Sequence, residues 1–287
     1  MRWLLVLVAA CAPFRSPAES PDNGALIADY RFLSFDGGAM HVVLIQNDEV
    51  AEWVTNEYRV PVTIDVARAT ANLAPVVPLP PTIMIPPGKN VLIGLWRVDD
   101  SNLRWREDSR FAARLGAPGA QPAPYAYGLP FPAGETHTLI QGFDGAFSHQ
   151  GDSEYAIDFE MPEGTIVRAA RDGVVVASND GATGHGTTPE WKDMARANWV
   201  FVQHDDGTLG AYWHLAPGGV TAAIGQRVLR GDPIARSGFT GYAAVPHLHF
   251  EVMSAMSGAH ARSFPFRLHV ENADEAPVAG KAYSAFE

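Results

Sequence analysis

Apolar and polar residues alternate with a period of two in several parts of the chain, and this pattern predicts β-strands. The clearest case is 60–66, where valine or isoleucine stands at every second position. Within it, Pro61 predicts a sheet edge or an irregular point, because proline cannot donate a hydrogen bond to a neighbouring strand. Further strand candidates are 28–35, 41–46 and 91–98. Several short strands at this spacing predict an immunoglobulin-like β-sandwich over 21–115.

The second half of the chain carries the same kind of pattern after a segment rich in Gly, Pro and Ala. That segment, 116–134, is predicted to be a linker. Two pairs of apolar runs flank Asp-Gly turns, at 171–173 and 205–207, and each pair predicts a β-hairpin. A short helical turn is predicted only at 190–197. The fold class is therefore all-β, with a second domain over 135–270 and a C-terminal tail over 271–287.

The first residues have the pattern of an export signal. Arg2 precedes an apolar run over 3–10, which is shorter than the roughly 20 residues of a membrane-spanning helix. The sequence Val-Ala-Ala-Cys that ends at Cys11 resembles a bacterial lipobox, in which the cysteine receives a lipid anchor. A plain signal peptide that removes Cys11 is the alternative. Either interpretation predicts that 1–20 form a leader and tether and that the protein is exported to the cell envelope or periplasm.

Composition narrows the range of partners. The 287 residues are 47% hydrophobic and carry a formal net charge of −11, which is typical of a globular protein and disfavours nucleic acid as a partner. P-loop, G-x-S-x-G and H-E-x-x-H motifs are absent from the sequence. The chemistry must therefore come from another set of residues.

The segment 246–252, Pro-His-Leu-His-Phe-Glu-Val, is the strongest chemical signal in the chain. If it is a strand, His247 and His249 point to the same face, and the apolar residues between them point to the other. Two imidazoles on one side of a strand can have different roles, so that one binds a metal and the other transfers protons.

Three other segments of the second domain belong to the same signal. They are Phe147-Ser148-His149 followed by 155–159, Gly210–Leu215, and 225–241 with its Ser-Gly-Phe-Thr-Gly sequence. Together with 246–252, in this order, they resemble the zinc peptidases of the lysostaphin/LytM type, the M23 peptidase family. The resemblance covers roughly 130–266 and implies a LytM-type antiparallel β-sheet domain.

The resemblance implies a ligand set and a mechanism. His149, Asp158 and His249 would hold Zn²⁺, and His214 and His247 would flank the attacking water and move its proton. The family's first ligand pair is commonly H-x-x-x-D, whereas eight residues separate His149 from Asp158 here. Asp158 is preferred because it lies in an apolar strand, and the acids nearer to His149, Asp152 and Glu154, remain alternatives.

These five residues also make chemical sense without the family. A catalytic zinc takes three protein ligands from His and carboxylate and keeps one position for water. Tyr212, two residues before His214 on the predicted strand face, is a candidate for stabilising the oxyanion, with core or rim packing as the alternative. Asn198 is a candidate donor to a ligand.

The resulting prediction is an exported zinc-dependent endopeptidase that hydrolyses peptide bonds of peptidoglycan. One alternative is a non-catalytic LytM-type regulator of cell-wall amidases, and another is a zinc amidase. The first domain is expected either to position the substrate or to inhibit. The sequence indicates neither an oligomeric state nor which bond is cut.

Overall fold

The computed structural model describes residues 14–19, 28–32, 39–46, 49–78 and 80–286, the first three as backbone only. The chain divides into two compact units. The first unit extends to Pro118 and includes Ser257–Ala259, and the second comprises Gly119–Met256 and His260–Glu287. No α-helix occurs among the described residues, which confirms the prediction of an all-β fold. Cys11 and its predicted lipid anchor lie outside the described residues.

The described residues of the first unit form two antiparallel sheets, and the predicted strands at 28–35, 41–46, 60–66 and 91–98 are all found in them. One sheet has the order β1-β9-β5-β7 and the other β2-β3-β4-β8-β6. The strands are β1 (Phe14–Glu19), β2 (Ala28–Phe32), β3 (Ala39–Gln46), β4 (Glu49–Asn56), β5 (Val62–Ala71), β6 (Leu73–Pro75), β7 (Thr82–Ile85), β8 (Asn90–Val98) and β9 (Arg106–Leu115). The immunoglobulin-like connection of these strands stays a prediction.

Two details of the first unit differ from the sequence interpretation. Strand β5 lies between β9 and β7, so it is not an edge strand. Pro61 immediately precedes β5, where its missing N–H interrupts no ladder. The predicted tether overlaps β1, which pairs with β9.

The interior of the first unit holds a charged cluster among apolar side chains. Arg68 Nε donates to Glu52 Oε2 at 2.8 Å, and the guanidinium also donates to the carbonyl of Ile93. Glu107 is fully buried beside them, and Ser109 donates to one of its oxygens. Burial, together with the neighbouring Glu52, raises the pKa of Glu107 to about 8.

The second unit is built on a nine-stranded sheet with the order β18-β14-β16-β17-β21-β12-β11-β25, to which β22 adds beside β21. Smaller sheets are β10-β23-β24, β13-β19 and β15-β20. The strands are β10 (Ala126–Tyr127), β11 (Thr136–Gln141), β12 (Ile157–Glu160), β13 (Ile166–Arg168), β14 (Gly173–Asn179), β15 (His185–Gly186), β16 (Trp199–Gln203), β17 (Leu209–Trp213), β18 (Arg227–Val228), β19 (Pro233–Arg236), β20 (Gly241–Tyr242), β21 (His247–Ala255), β22 (Ala261–Ser263), β23 (Arg267–Val270), β24 (Ala273–Glu275) and β25 (Ala282–Ser284).

Short 3-10 helices occur in the loops of the second unit. They span Gly151–Ser153, Pro189–Lys192 and Met194–Arg196. The last two fall where the sequence predicts a helical turn, at 190–197. Among the described residues, no helix is long and apolar enough to cross a membrane.

Strand β21 divides the second unit into a core side and a site side. Leu248, Phe250 and Val252 are fully buried in the main hydrophobic cluster. The residues between them point the other way, as the period of two requires. The prediction that His247 and His249 share one face of a strand is confirmed, because the two pair with Glu160 and Asp158 of β12.

The two predicted hairpins have different outcomes. The hairpin around 205–207 is confirmed, since β16 pairs with β17 from Trp199 opposite Trp213. The hairpin around 171–173 is wrong, because β13 pairs with β19 and β14 pairs with β16. Gly173 begins β14, and a Cβ there would lie 2.4 Å from the carbonyl oxygen of Gln203. This glycine allows two strands to approach closely and does not mark a hairpin turn.

The predicted linker and tail both belong to the second unit for most of their length. The unit begins at Gly119, and β10 pairs with β23 within the supposed linker. At the other end, β25 pairs with β11 at the edge of the main sheet. Strand pairing over long sequence separations decides these boundaries, and local composition does not reveal it.

Candidate metal centre

Three side chains of the second unit converge in one small buried cluster. Asp158 Oδ1 lies 3.1 Å from His149 Nε2 and 3.0 Å from His249 Nδ1. The two ring nitrogens are themselves 3.2 Å apart. The three residues are nearly inaccessible, with exposed fractions of 0%, 5% and 8% for His149, Asp158 and His249. The structure therefore brings together the three predicted ligands.

Strand pairing and two backbone contacts fix the orientation of these groups. Asp158 on β12 is the direct cross-strand partner of His249 on β21, so both side chains leave the same face of the sheet. His149 follows β11 in a loop, and its Nδ1–H donates to the carbonyl of Gly142 at 2.8 Å. Its Nε2 is thereby left with a lone pair that faces Asp158.

The donor set fits a divalent cation such as zinc. Glu251 Oε1 lies 3.7 Å from His249 Nε2, which favours a proton on that nitrogen and a lone pair on Nδ1. Two imidazole lone pairs and a carboxylate oxygen thus face one another at about 3 Å, as the distances above show. Such donors repel unless a cation lies among them, and His₂-carboxylate is a set that zinc prefers. The residues present therefore fit the metal that the resemblance implies.

The pKa values of Asp158 and His249 also indicate that positive charge stabilises the cluster. Burial alone would raise the pKa of Asp158, but hydrogen bonds with His149 and His249 hold it well below its usual range. Burial opposes the charged form of His249 as well, yet Asp158 and Glu251 raise the pKa of His249 to about 10. A proton on His249 supplies the charge that a metal would otherwise bring.

Two further histidines lie beside this cluster with one nitrogen of each ring fixed. His214 Nδ1–H donates to the carbonyl of Thr240 at 2.7 Å, and His247 Nδ1–H donates to that of Val245 at 2.8 Å. Their ring centroids are 4.5 Å apart, and His247 Nε2 is 3.8 Å from Asp158 Oδ1. Each ring therefore has Nε2 free of the backbone and able to accept a proton.

Burial keeps both of these rings neutral at neutral pH. It lowers the pKa of His214 well below the ordinary value, and the neighbouring His247 and His249 lower it further. Burial also lowers the pKa of His247, although the charge of Asp158 opposes the effect. A neutral imidazole is the form that can take a proton from water.

The candidate oxyanion role of Tyr212 is wrong, and its alternative, core packing, is what the structure has. Tyr212 pairs with Phe250 across the strands, so it lies on the core face and not on the face of His249. Its hydroxyl accepts a hydrogen bond from the backbone N–H of Ala170 at 2.8 Å. Tyr212 and His214 do not share a strand face, because β17 ends at Trp213 and His214 adopts a left-handed φ of 63°.

Asn198 does not donate to a metal ligand, so that prediction is wrong in its detail. Its side-chain oxygen accepts a hydrogen bond from the backbone N–H of Ala182. Its side-chain NH₂ donates to the carbonyl of Ala182 and to that of Leu215, the latter at 3.3 Å. Its backbone N–H donates to the hydroxyl of Thr240. Asn198 thus fixes the two segments that hold His214, and acts on the site only through them.

The acids that the sequence leaves as alternatives to Asp158 lie outside the cluster. Asp152 Oδ2 accepts the backbone N–H of Ala261 at 3.0 Å, and its other oxygen faces His260. Glu154 immediately follows the first 3-10 helix and is not among the converging groups. The long separation between His149 and Asp158 is therefore spanned by a loop that contains this helix.

Gln141 is a site residue that the sequence analysis missed. Its amide donates to Asp158 Oδ2 at 2.9 Å and to the hydroxyl of Ser148 at 2.8 Å. It can do so because β11 and β12 pair, with Gln141 in register with Asp158. No local motif marks this glutamine, and only the strand pairing identifies it.

A comparison with known families agrees with the geometry. Residues 152–261 match the family model of Peptidase family M23. This segment is an M23 domain. The match contains Asp158, His214, His247 and His249 but begins after His149, so the convergence of atoms is what adds His149 to the set.

Curated relatives of this M23 domain are endopeptidases by name. The glycyl-glycine endopeptidase ALE-1 of Staphylococcus capitis is 33% identical over 104 residues, which are 36% of this chain and 25% of that protein. The peptidoglycan DD-endopeptidase ShyA of Vibrio cholerae is 35% identical over 96 residues, which are 33% of this chain and 19% of that protein. The chain thus spans about a quarter or less of the length of these relatives.

A solved structure also matches the M23 domain. The catalytic domain of lysostaphin from Staphylococcus simulans is 26% identical and covers 45% of this chain and 87% of its own, with a TM-score of 0.32. A TM-score of this size does not establish a common overall fold.

Proposed function

We propose that this protein is an exported zinc-dependent endopeptidase that hydrolyses peptide bonds of peptidoglycan. The observation that carries the proposal is the convergence of His149, Asp158 and His249 within about 3 Å, with two neutral histidines beside them. Endopeptidase names among the relatives support the same reaction class.

The proposed roles follow from which nitrogen of each ring is available. His149 Nε2, His249 Nδ1 and a carboxylate oxygen of Asp158 would hold zinc. Bound zinc lowers the pKa of a coordinated water towards about 7 and polarises the substrate carbonyl. Gln141 keeps the Asp158 carboxylate in place through its 2.9 Å hydrogen bond.

His214 and His247 are proposed to handle protons. Their fixed Nδ1–H groups leave both Nε2 atoms directed away from the backbone, beside the ligand cluster. One ring takes the proton of the attacking water, and a protonated ring then stabilises negative charge on the substrate oxygen or delivers the proton to the leaving amine. General acid–base help of this kind contributes about 10²–10⁴-fold.

The substrate and location are inferred from the relatives and from the N-terminal pattern. Both relatives named above are endopeptidases by their printed names, and the name of ShyA specifies peptidoglycan. A signal-like start predicts delivery to the same compartment, and Cys11 remains the predicted site of a lipid anchor. A non-catalytic regulator is not favoured, because such a protein needs neither three converging ligands nor two buried neutral histidines.

The test is metal content and peptidoglycan digestion by the purified protein and by a His249→Ala variant. We expect about one zinc per chain, digestion that a chelator abolishes, and no digestion by the variant. His260→Ala is the matched control, since this histidine is largely exposed and lies outside the cluster. Analysis of the products separates cleavage between amino acids from amidase cleavage between sugar and peptide. A protein that binds no zinc would contradict the proposal.

A further inference from the structure

The second unit contains a cavity lined by residues that the proposed reaction does not use. It has a volume of about 310 Å³. Its apolar wall is formed by Leu129, Phe131 and Phe286, and its polar wall by Arg168, Arg230 and His269. Cavities of this size that combine apolar walls with a few polar groups are the usual form of a small-ligand site.

This cavity lies behind the main sheet with respect to the metal centre. The ring of Phe131 packs edge-on against Phe159, with centroids 5.2 Å apart. Phe159 is in the hydrophobic core, and the adjacent Asp158 points to the opposite face of β12. A molecule in the cavity would therefore touch none of the five proposed metal-site residues.

In the polar wall, His269 pairs with Asp274, whose Oδ1 lies 2.7 Å from its Nδ1, whereas neither arginine pairs with an acid of the described residues. Arg168 donates one N–H to the carbonyl of Gly231, but its Nε is buried and has no hydrogen-bond partner in the structure. The Arg230 stem packs over Gly128, where a Cβ would lie 3.0 Å from Arg230 Cδ. Its guanidinium forms no hydrogen bond or ion pair with the described residues. No acidic residue lines the cavity, in a chain whose net charge is −11.

A buried guanidinium N–H without a partner requires an acceptor, since leaving it unsatisfied costs more than an ordinary lost hydrogen bond. Two arginines line this cavity, and a guanidinium group binds a carboxylate or a phosphate through several N–H donors at once. The remaining volume is bordered by aromatic and aliphatic carbon. The arrangement thus selects an anionic group attached to a small apolar body.

We propose that this cavity is a binding site for a small carboxylate or phosphate ligand, with the anion held by Arg168 and Arg230. Two sources share this chemistry: the free carboxylate end of a peptide and the phosphate of a polymer or lipid headgroup. The proposal does not depend on the proposed peptidase function, because it uses a different face of the sheet.

The test is a calorimetric titration of the full chain with acetyl-alanyl-alanine, with its uncharged C-terminal amide and with phenyl phosphate. We expect the carboxylate or the phosphate probe to bind and the amide not to bind. Arg230→Met is expected to weaken binding at least tenfold. Arg227→Met, an exposed arginine of β18, is the matched control and is expected to bind as the unmodified chain does.

A second variant tests the proposal independently if the arginine variant does not fold. Ala133 is an exposed residue of the cavity wall, and Ala133→Trp should fill the cavity and abolish binding while peptidoglycan digestion is unchanged. Binding of the carboxylate probe alone supports a peptide end, and binding of the phosphate probe alone supports a phosphate source. The proposal is overturned if neither anion binds, or if Arg230→Met and Ala133→Trp bind as well as the unmodified chain.

Discussion

Both units bury a cluster of charged side chains, but the two clusters are completed in different ways. In the first unit, Arg68 supplies a cation to Glu52 at 2.8 Å, and Glu107 beside them takes up a proton with a pKa of about 8. In the second unit, Asp158 faces the nitrogens of His149 and His249, and the pKa of Asp158 lies below its usual range.

The difference shows how a buried carboxylate can be assigned to structure or to chemistry. A carboxylate opposite arginine is neutralised by the chain itself, because guanidinium is always charged. A carboxylate opposite two imidazole nitrogens is neutralised only by a proton or a metal ion, both of which can exchange. We therefore expect changes in the first cluster to alter stability, and changes in the second to alter metal binding and activity.

The largest effect is expected for Asp158→Asn. The substitution keeps the size of the side chain but removes the charge that the cluster needs for a divalent cation. Zinc binding should be lost, and peptidoglycan digestion should fall by at least about 10³-fold, since both the metal-activated water and its alignment disappear. Metal analysis and a digestion assay measure the two effects.

Asp152→Asn is the control for that experiment, because Asp152 is the acid nearer in sequence to His149. Its carboxylate bonds the backbone of Ala261 and not the cluster, so zinc content should be unchanged. Loss of zinc in Asp152→Asn with retention in Asp158→Asn would reverse the ligand assignment.

The next largest effect is expected for Arg68→Met in the first unit. It removes the guanidinium that faces the buried Glu52 at 2.8 Å, and removing one partner of a buried pair costs about 3–5 kcal/mol of unfolding free energy. Zinc content of the folded protein should stay the same. Denaturant unfolding with a zinc assay measures both quantities.

Arg97→Met is the matched control, because Arg97 and Glu49 meet at 3.5 Å with side chains 67% and 41% exposed. Its unfolding free energy should change by no more than about 0.5 kcal/mol. An equal loss of unfolding free energy in both variants would show that the burial of Arg68 does not cause the loss.

A smaller effect, on metal affinity, is expected for Gln141→Ala. The variant removes the donor that holds Asp158 Oδ2, and loss of such a supporting bond typically weakens metal binding about 10–100-fold. Competition with a fluorescent zinc chelator measures the affinity. Gln141→Glu gives a sharper version, since a second carboxylate in place of the amide donor would repel Asp158. Unchanged affinity in both variants would leave Gln141 as a purely structural residue.

The last prediction concerns the pH dependence of stability in Glu107→Gln. Because the pKa of Glu107 is raised to about 8 when folded, the folded protein binds more protons than the unfolded chain between about pH 4.5 and pH 8. Stability should therefore fall as the pH rises through this window, and the fall should be shallower in Glu107→Gln. Calorimetric scans at pH 5, 7 and 9 measure it, and identical slopes would contradict the raised pKa.

Much of the candidate site could be predicted because strand periodicity is a local property. The period of two places His247 and His249 on one face, and β21 has that arrangement. The same rule fails for Tyr212, because it assumes that the strand continues to His214. The strand ends one residue earlier, and the left-handed φ of His214 turns its ring into the site.

The sequence by itself determined the all-β class, the segments that carry the chemistry and the shared face of the two β21 histidines, since these depend on periodicity and on residue type. Only the tertiary structure decided which residues join those segments. Gln141 reaches Asp158, and β25 completes the sheet beside β11, through pairings between residues far apart in the chain. The cavity of the second unit likewise combines Phe131, Arg168 and Arg230 from separate strands and loops. Such contacts arise from strand register and packing, and no short sequence window records either.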